Sequence, residues 1–245
     1  MRYFYLIFIL TGFSFFSKTV KAQEGIEIYV VPALHHIHKI NSNYSYDSLR
    51  VVVKNLKPDV LLVEIRPEDI DRDTAYLKKN YPLEMWAMKL WFPNHPLVGI
   101  DWLGKDIAGK PIPENYWKEK SQLKIWEKAV ESDSLIKGRL VECETYVAER
   151  IPVLKEGSFL EIVNGNDEQL TLAYYQCMER TFFGTPHAKI TDFYKERNIS
   201  MAENIVKAVI ENGKGKYVVV TGADHAPFIK MYLFKKGLGS ALGDF

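Results

Sequence analysis

The 245-residue chain has only two cysteines, Cys143 and Cys177, and no Cys-x-x-Cys pair. The absence of a Cys-x-x-Cys pair argues against a cysteine-based zinc site and a thioredoxin-like redox motif. The two thiols can pair if the protein is exported, although spacing alone does not show that they approach each other. A nucleophilic or metal-bound cysteine is the less favoured interpretation, because neither residue sits in a turn after a predicted strand.

The sequence also lacks a cluster of basic residues, an internal repeat and a low-complexity tract. Its 32 Lys and Arg nearly balance its 31 Asp and Glu, whereas nucleic-acid binding depends on clustered cations that contact phosphates. We therefore expect no nucleic-acid partner. With 47% hydrophobic residues, the chain has a globular composition and a length suited to one large domain. Nothing in the sequence predicts its oligomeric state.

The N-terminal segment 1–22 is typical of a cleavable signal peptide. It has a basic start at Arg2, an apolar stretch over 3–16 and a small-residue end at Val20-Lys21-Ala22. The apolar stretch is shorter than the ~20 residues that a membrane-spanning helix needs. We therefore predict cleavage near Ala22, a periplasmic or secreted protein without a stable membrane anchor, and a single α/β domain over 23–245.

Four short apolar runs predict the strands of an α/β fold, at 26–33, 60–65, 97–100 and 217–221. The unbroken run at 60–65 indicates burial on both faces, as in parallel sheets. Residues from about 113 to 212 have a helical pattern with no alternating stretch of useful length. We predict a small, mostly parallel central sheet with helices on both faces and a large helical insertion, about 113–212, between the third and fourth strands.

Polar side chains follow each of the four predicted strands. Because the carboxyl ends of parallel strands meet at one edge of a sheet, such residues gather in a common crevice. Two or more imidazoles with a carboxylate suit a divalent transition metal with open positions for water or substrate. The predicted ligands are His35, His38, His225, Glu64 and Asp101, whereas His36 is expected to point elsewhere.

Each of these residues also has a purely structural interpretation. Glu64 and Arg66 lie two apart and could form a salt bridge, in which Arg66 would still orient Glu64. The His35–His38 segment could be a solvated loop, Asp101 could cap a helix, and His225 could be the first residue of one. In the extreme case the strand-end groups only pair with one another, and the chain is a scaffold without catalysis.

Three segments resemble motifs of the superfamily that groups TraB/GumN-like proteins, Tiki proteases, haem-binding ChaN proteins and erythromycin esterases. The turn Gly222-Ala-Asp-His225 is similar to its second Gly-x-x-His motif. Residues 196–204 resemble its Arg-[Asp/Asn]-x-x-Met-Ala-x-Asn element, although Arg197-Asn198 could simply begin a helix to about 212. Residues 58–64 resemble an element of the superfamily in which a proline and an acidic residue precede a strand that ends in a glutamate. The first Gly-x-x-His motif of the superfamily is altered here to Pro32-Ala-Leu-His35. Because proline lacks the backbone freedom of glycine, we expect this turn to differ in shape.

The resemblance implies a fold like that of ChaN proteins and erythromycin esterases, with metal binding by His35 and His225 and with Glu64 as ligand or general base. It places Arg197 near the pocket, where Arg197 or Arg66 would stabilise an oxyanion. The leading hypothesis is an exported hydrolase, a Tiki-like peptidase or an esterase, in which Mn, Co or Zn activates water against a small-molecule or peptide substrate. The alternative is a non-catalytic, ChaN-like protein that binds haem or another ligand.

Overall fold

The computed structural model describes residues 24–245, so the predicted signal peptide lies outside the described residues. Within this range four strands form one parallel sheet. They are β1 Ile26–Ala33, β2 Val60–Val63, β3 Leu97–Gly99 and β4 Gly215–Gly222, and their order across the sheet is β1-β4-β2-β3. Ala33 pairs with Gly222, and Val63 pairs with Val220. The carboxyl ends of neighbouring strands therefore lie at the same edge.

The sheet is buried on both faces. Successive side chains of a strand point to opposite sides, and apolar residues occupy both sides. Leu61 and Val218 contribute to the apolar core on one face, and Leu62 and Val219 contribute to the core on the other. All four residues of β2 are buried. The unbroken apolar run of this strand therefore predicted its position correctly.

Helices cover the sheet and fill the long connection between β3 and β4. They are α1 Tyr46–Leu56, α2 Thr74–Asn80, α3 Leu83–Trp91, α4 Gln122–Ser132, α5 Ser134–Glu156, α6 Phe159–Asn164, α7 Asp167–Phe182, α8 Ala188–Asn212 and α9 Ala226–Leu233. Short 3-10 or π-helical turns lie at His35–Lys39, Pro67–Asp69, Tyr116–Lys120, Phe234–Leu238 and Gly239–Ala241. Helices α4 to α8 fall within the predicted interval 113–212, so the helical insertion is confirmed.

The helices divide between the two faces. Leu49 of α1 and Met85 of α3 belong to one core, and Ile205 of α8 and Ile229 of α9 belong to the other. The insertion adds an apolar cluster of its own, which includes Phe182. This arrangement confirms the predicted α/β class with helices on both faces of a parallel sheet.

Cys143 of α5 and Cys177 of α7 form a disulfide, so neither is a free thiol. The bond joins residues 34 apart in sequence and stabilises the fold by about 4 kcal/mol if its effect is the lost entropy of the unfolded chain. Such a bond agrees with an oxidising compartment. Within residues 24–245, no helix combines the length and the apolarity needed to cross a membrane.

Candidate functional site

His225 lies in the turn between β4 and α9, with 5% of its surface exposed. Its Nδ1 is 2.6 Å from Oδ1 of Asn198 on α8. An amide oxygen only accepts hydrogen bonds, so Nδ1–H donates and the neutral ring keeps a free lone pair on Nε2. Burial lowers the pKa of His225 to about 4, against the opposing charge of Glu64 and with the help of Arg197. The ring is therefore neutral at pH 7, and its Nε2 lies 3.6 Å from Glu64 Oε1.

His35 lies in the 3-10 turn that follows β1, in the left-handed conformation with φ 51°. Its Nδ1 donates to Oε1 of Glu84 at 2.7 Å. Glu84 belongs to α3 and is fully buried, and its Oε2 has no hydrogen-bond partner within the described residues. Burial lowers the pKa of His35, but the bond to Glu84 and the charges of Glu64 and Glu84 outweigh it and raise the pKa above its ordinary value.

Gly222 lets His35 and Glu64 come together at the end of β4. A Cβ at this position would lie 2.8 Å from His35 Nε2 and 3.4 Å from Glu64 Oε2. The first distance is too short for two non-bonded atoms, so any larger residue would displace the imidazole. Close packing therefore favours glycine at this position, and His35 Nε2 and Glu64 Oε2 both lie beside the same point of the backbone.

Glu64 occupies the centre of the site, one residue beyond β2. Its Oε2 accepts hydrogen bonds from Thr221 Oγ1 at 2.8 Å and from the Gly222 amide at 2.6 Å, and its Oε1 accepts one from Arg197 at 2.9 Å. Burial opposes ionisation, but the charges of His225 and Arg197 and the Gly222 hydrogen bond outweigh it and hold the pKa of Glu64 at about 2. Glu64 is therefore a fixed anion.

Arg197 joins Glu64 to Asp101, which lies just beyond β3. Its Nε donates to Asp101 Oδ1 at 2.8 Å, and its NH2 donates to Glu64. Burial raises the pKa of Asp101, although Arg197 opposes this shift. Within residues 24–245, NH1 of Arg197 has no hydrogen-bond acceptor, which leaves it available to a ligand. Arg197 lies well inside α8, which begins at Ala188, so it does not simply start that helix.

Two cavities meet at these residues. The Trp117 cavity, of about 360 Å³, is also lined by Lys79, Asn80, Tyr81, Pro82 and Asp101. The Tyr175 cavity, of about 320 Å³, is also lined by Leu154, Tyr194, Asp224 and His225. His35, Glu64 and Arg197 line both cavities. A ligand can therefore extend to either side of the same three side chains.

The structure does not bring His38 to this pocket. The Leu34 amide donates to His38 Nε2 at 2.9 Å, and His38 Nδ1 donates to the Tyr44 carbonyl at 2.6 Å. With both ring nitrogens bonded and 1% of its surface exposed, His38 holds the loop after β1 together and has no lone pair for a metal. His36 is exposed and lies at the rim of the Tyr175 cavity.

Arg66 is also directed away from Glu64. Its Nε donates to Asp69 at 2.8 Å, its NH1 to the Ile107 carbonyl at 3.0 Å and its NH2 to the Lys110 carbonyl at 2.8 Å. The side chain is 1% exposed. These contacts fasten the segment after β3 to the end of β2, so the expected Glu64–Arg66 pair is not formed and Arg66 is not an oxyanion donor of the Trp117 cavity.

Sequence reasoning missed Glu84 and the roles of Asn198 and Thr221. Glu84 sits next to Met85 on the buried side of α3, and a charged residue within an apolar helix face was the available signal, because buried carboxylates need a partner. Asn198 was visible only as a neighbour of Arg197. Its hydrogen bond to His225 depends on how α8 crosses the sheet, which the sequence does not show.

The imidazoles have one feature that is common among metal-binding histidines. Each anchors its Nδ1 on an oxygen, which is how proteins orient metal-binding histidines. Within residues 24–245, however, no group of three or more His, Cys, Asp or Glu side chains converges to hold an ion, and the Glu64 oxygens already accept three hydrogen bonds. The residues do not complete a ligand set, and metal binding by His35 and His225 stays a prediction.

Comparison of the chain with protein-family models, with curated proteins and with solved structures gave no match. The resemblance to the TraB/GumN, Tiki, ChaN and erythromycin esterase superfamily therefore rests on its short motifs, and membership stays a prediction. What the pocket can do follows from its own geometry.

Proposed function

We propose that the chain is an exported hydrolase whose pocket activates water with His225 and stabilises the developing negative charge with Arg197. The observation that carries the proposal is the pair of imidazoles, each anchored through Nδ1, that line the Tyr175 cavity together with a buried guanidinium. The Cys143–Cys177 disulfide supports export.

His225 is the general base of this proposal. Its Nε2 is unprotonated at pH 7, because burial depresses the pKa and Asn198 holds the proton on Nδ1. Nε2 and Glu64 Oε1 are both acceptors, 3.6 Å apart, and a water molecule can donate one hydrogen to each. Glu64, with a pKa of about 2, is a weaker base than His225, and its oxygens already accept three hydrogen bonds. It orients the water and holds Arg197.

His35 is the general acid. Glu84 raises the pKa of its ring above the ordinary value, which favours the protonated form, and this form can give its Nε2 proton to a leaving group. Two groups of one type whose surroundings move their pKa values in opposite directions are a common basis for acid and base roles. Arg197 NH1 is the donor placed to bind the oxygen that becomes negative when water adds to a carbonyl.

The two cavities suit a substrate that extends on both sides of the scissile bond. His35, Glu64 and Arg197 stand between the Trp117 and Tyr175 cavities, so the parts of a peptide or an ester on either side of the carbonyl would each enter one cavity. We therefore propose acyl transfer to water, as in a peptidase or an esterase.

The test is turnover by the purified chain of p-nitrophenyl esters and fluorogenic peptides, compared with an Arg197→Lys variant. Lysine keeps the charge but carries its donors on a single nitrogen, so it lacks the planar fork with which Arg197 spans Asp101 and Glu64. We expect wild-type turnover of at least one substrate and a loss of about 10²- to 10³-fold in kcat for the variant. Absence of wild-type turnover, or equal rates in the two proteins, would contradict the proposal.

Metal and haem binding are tested on the same preparation. Equilibrium dialysis against Zn²⁺, Mn²⁺ or Co²⁺ should show one bound ion in the wild type and none in His35→Gln or His225→Gln if the resemblance holds. Binding that survives both substitutions would place the ion elsewhere. A Soret band after addition of haemin, unaltered by Glu64→Ala, would instead favour the non-catalytic haem-binding alternative.

A further inference from the structure

A third cavity, of about 290 Å³, lies between α7, α8 and α9. We call it the aromatic groove, because Tyr175, Tyr194 and Phe228 line it together with Met231. The ring of Tyr175 packs edge-on at 5.2 Å from that of Phe228 and at 5.3 Å from that of Tyr194. Met231 is 44% exposed. The groove thus has a preformed apolar floor that water can reach.

The aromatic groove adjoins the pocket described above. Tyr175 and Tyr194 line both the groove and the Tyr175 cavity. Asn198, which accepts the Nδ1–H of His225, also lines the groove. A molecule in the groove would therefore contact the side chains that form the wall of the pocket and hold its base, without occupying the pocket itself.

The charged residues of the groove indicate which polar group an apolar ligand would carry. Lys195 and Lys235 both line it, and within residues 24–245 neither forms an ion pair, whereas the nearby Lys230 and Lys236 each pair with a glutamate. Glu179 is the one acidic residue among the described lining residues. The groove therefore carries a net positive charge beside an apolar floor, which favours an anion and disfavours a cation.

We propose that the aromatic groove binds an amphipathic carboxylate, such as a medium-chain fatty acid. The chain would cover Tyr175, Phe228 and Met231 and gain about 25 cal/mol for each Å² of apolar surface removed from water. The carboxylate would pair with Lys195 or Lys235. The volume suits a small ligand, whereas a protein partner would need about 800 Å² of contact surface on this side.

Isothermal titration calorimetry of the full chain with decanoate tests the apolar half of this inference. Met231→Asp places a charge on the floor of the groove at a partly exposed position, and we expect its Kd for decanoate to rise at least about tenfold. The matched control is Phe234→Asp, an exposed apolar residue just beyond α9 that does not line the groove. It should bind decanoate as the wild type does.

The cationic half is tested by comparing decanoate with decanol. The wild type should bind decanoate about tenfold more tightly, which is the size of one modest ion pair. In a Lys195→Met, Lys235→Met double variant the two ligands should bind alike. The inference is overturned if decanoate shows no saturable binding to the wild type, if Met231→Asp binds like the wild type, or if decanol and decanoate bind the wild type equally.

Discussion

The turns after β1 and β4 carry equivalent imidazoles in unlike surroundings. Both strands are neighbours in the sheet and end at the same edge. His225 is 5% exposed and anchors its Nδ1 on the neutral amide of Asn198. His35 has a side chain that is 36% exposed and anchors its Nδ1 on the carboxylate of Glu84. The partner of Nδ1 and the depth of burial differ, while both residues line the Tyr175 cavity.

This difference shows how two imidazoles at one edge of a sheet can differ in the pKa of the ring, which is what the proposed base and acid require. His225 is buried next to a neutral amide, and the loss of hydration, helped by the charge of Arg197, outweighs the attraction of Glu64, so its neutral form is favoured. A ring hydrogen-bonded to a carboxylate gains a counter-charge, so its cationic form is favoured. The pKa values of His225 and His35 move in opposite directions for these reasons.

The largest expected effect comes from removing the base. In His225→Gln, the side chain keeps polar atoms near Asn198 but loses the unprotonated ring nitrogen that takes a proton from water. If the proposed chemistry is right, kcat falls by about 10²- to 10⁴-fold, the usual contribution of a general base. Steady-state kinetics with the best ester or peptide substrate measure the loss.

The matched control for this variant is His95→Gln. His95 precedes β3, at the opposite end of that strand from the pocket, and should leave kcat unchanged. A His225→Gln enzyme that turns over at the wild-type rate would remove His225 from the mechanism and leave His35 as the only candidate imidazole.

The next effect is steric. Gly222→Ala puts a Cβ at 2.8 Å from His35 Nε2, so the imidazole must move and its hydrogen bond to Glu84 must lengthen or break. We expect the free energy of unfolding to fall by about 1–2 kcal/mol, as in modest overpacking. Urea unfolding measures it.

Gly138→Ala is the control for Gly222→Ala. Gly138 lies within α5, and a Cβ there would meet no atom within 4 Å. Alanine should therefore raise the stability by about 0.5–1 kcal/mol, because glycine is a poor helix residue. If the two variants behave alike, close approach of His35 to β4 is not a constraint.

The sequence predicted the site residues that lie at the carboxyl ends of the strands. Glu64, Asp101 and His225 follow apolar runs, and a parallel sheet gathers strand ends whatever the details of packing. His38 and Arg66 were misplaced for a different reason. Their side chains bond to backbone groups such as the Leu34 amide and the Ile107 carbonyl, and the positions of those groups depend on loop conformations that no sequence pattern specifies.

A smaller effect on the histidine pKa values distinguishes Glu84, the partner of His35, from Asn198, the partner of His225. In Glu84→Gln the partner of His35 loses its negative charge, so the pKa of His35 should fall, while that of His225 should stay low. The side-chain ¹⁵N signals of the histidines, followed by NMR as a function of pH, report both. Glu119→Gln, an exposed residue, controls for the loss of one acidic charge. An unchanged His35 titration in Glu84→Gln would show that Glu84 does not set its charge.

The smallest expected effect is the dependence of stability on pH. The folded pKa of His225, about 4, lies below its ordinary value of 6.5, so between these values the unfolded chain binds more protons and stability decreases as pH falls. The raised pKa of His35 acts in the opposite sense: its contribution is complete below 6.5 and is lost as pH rises through the folded pKa. Glu64 contributes its own loss only below 4.5. His225→Gln should therefore flatten the decrease in stability between pH 6.5 and 5, and His35→Gln should flatten the decrease in stability on the alkaline side.

Urea unfolding of the wild type and the two variants from pH 5 to 8 measures both slopes. If the slope below pH 6.5 persists in His225→Gln, burial of a neutral imidazole is not its source, and the contrast between the two turns would lie in geometry alone.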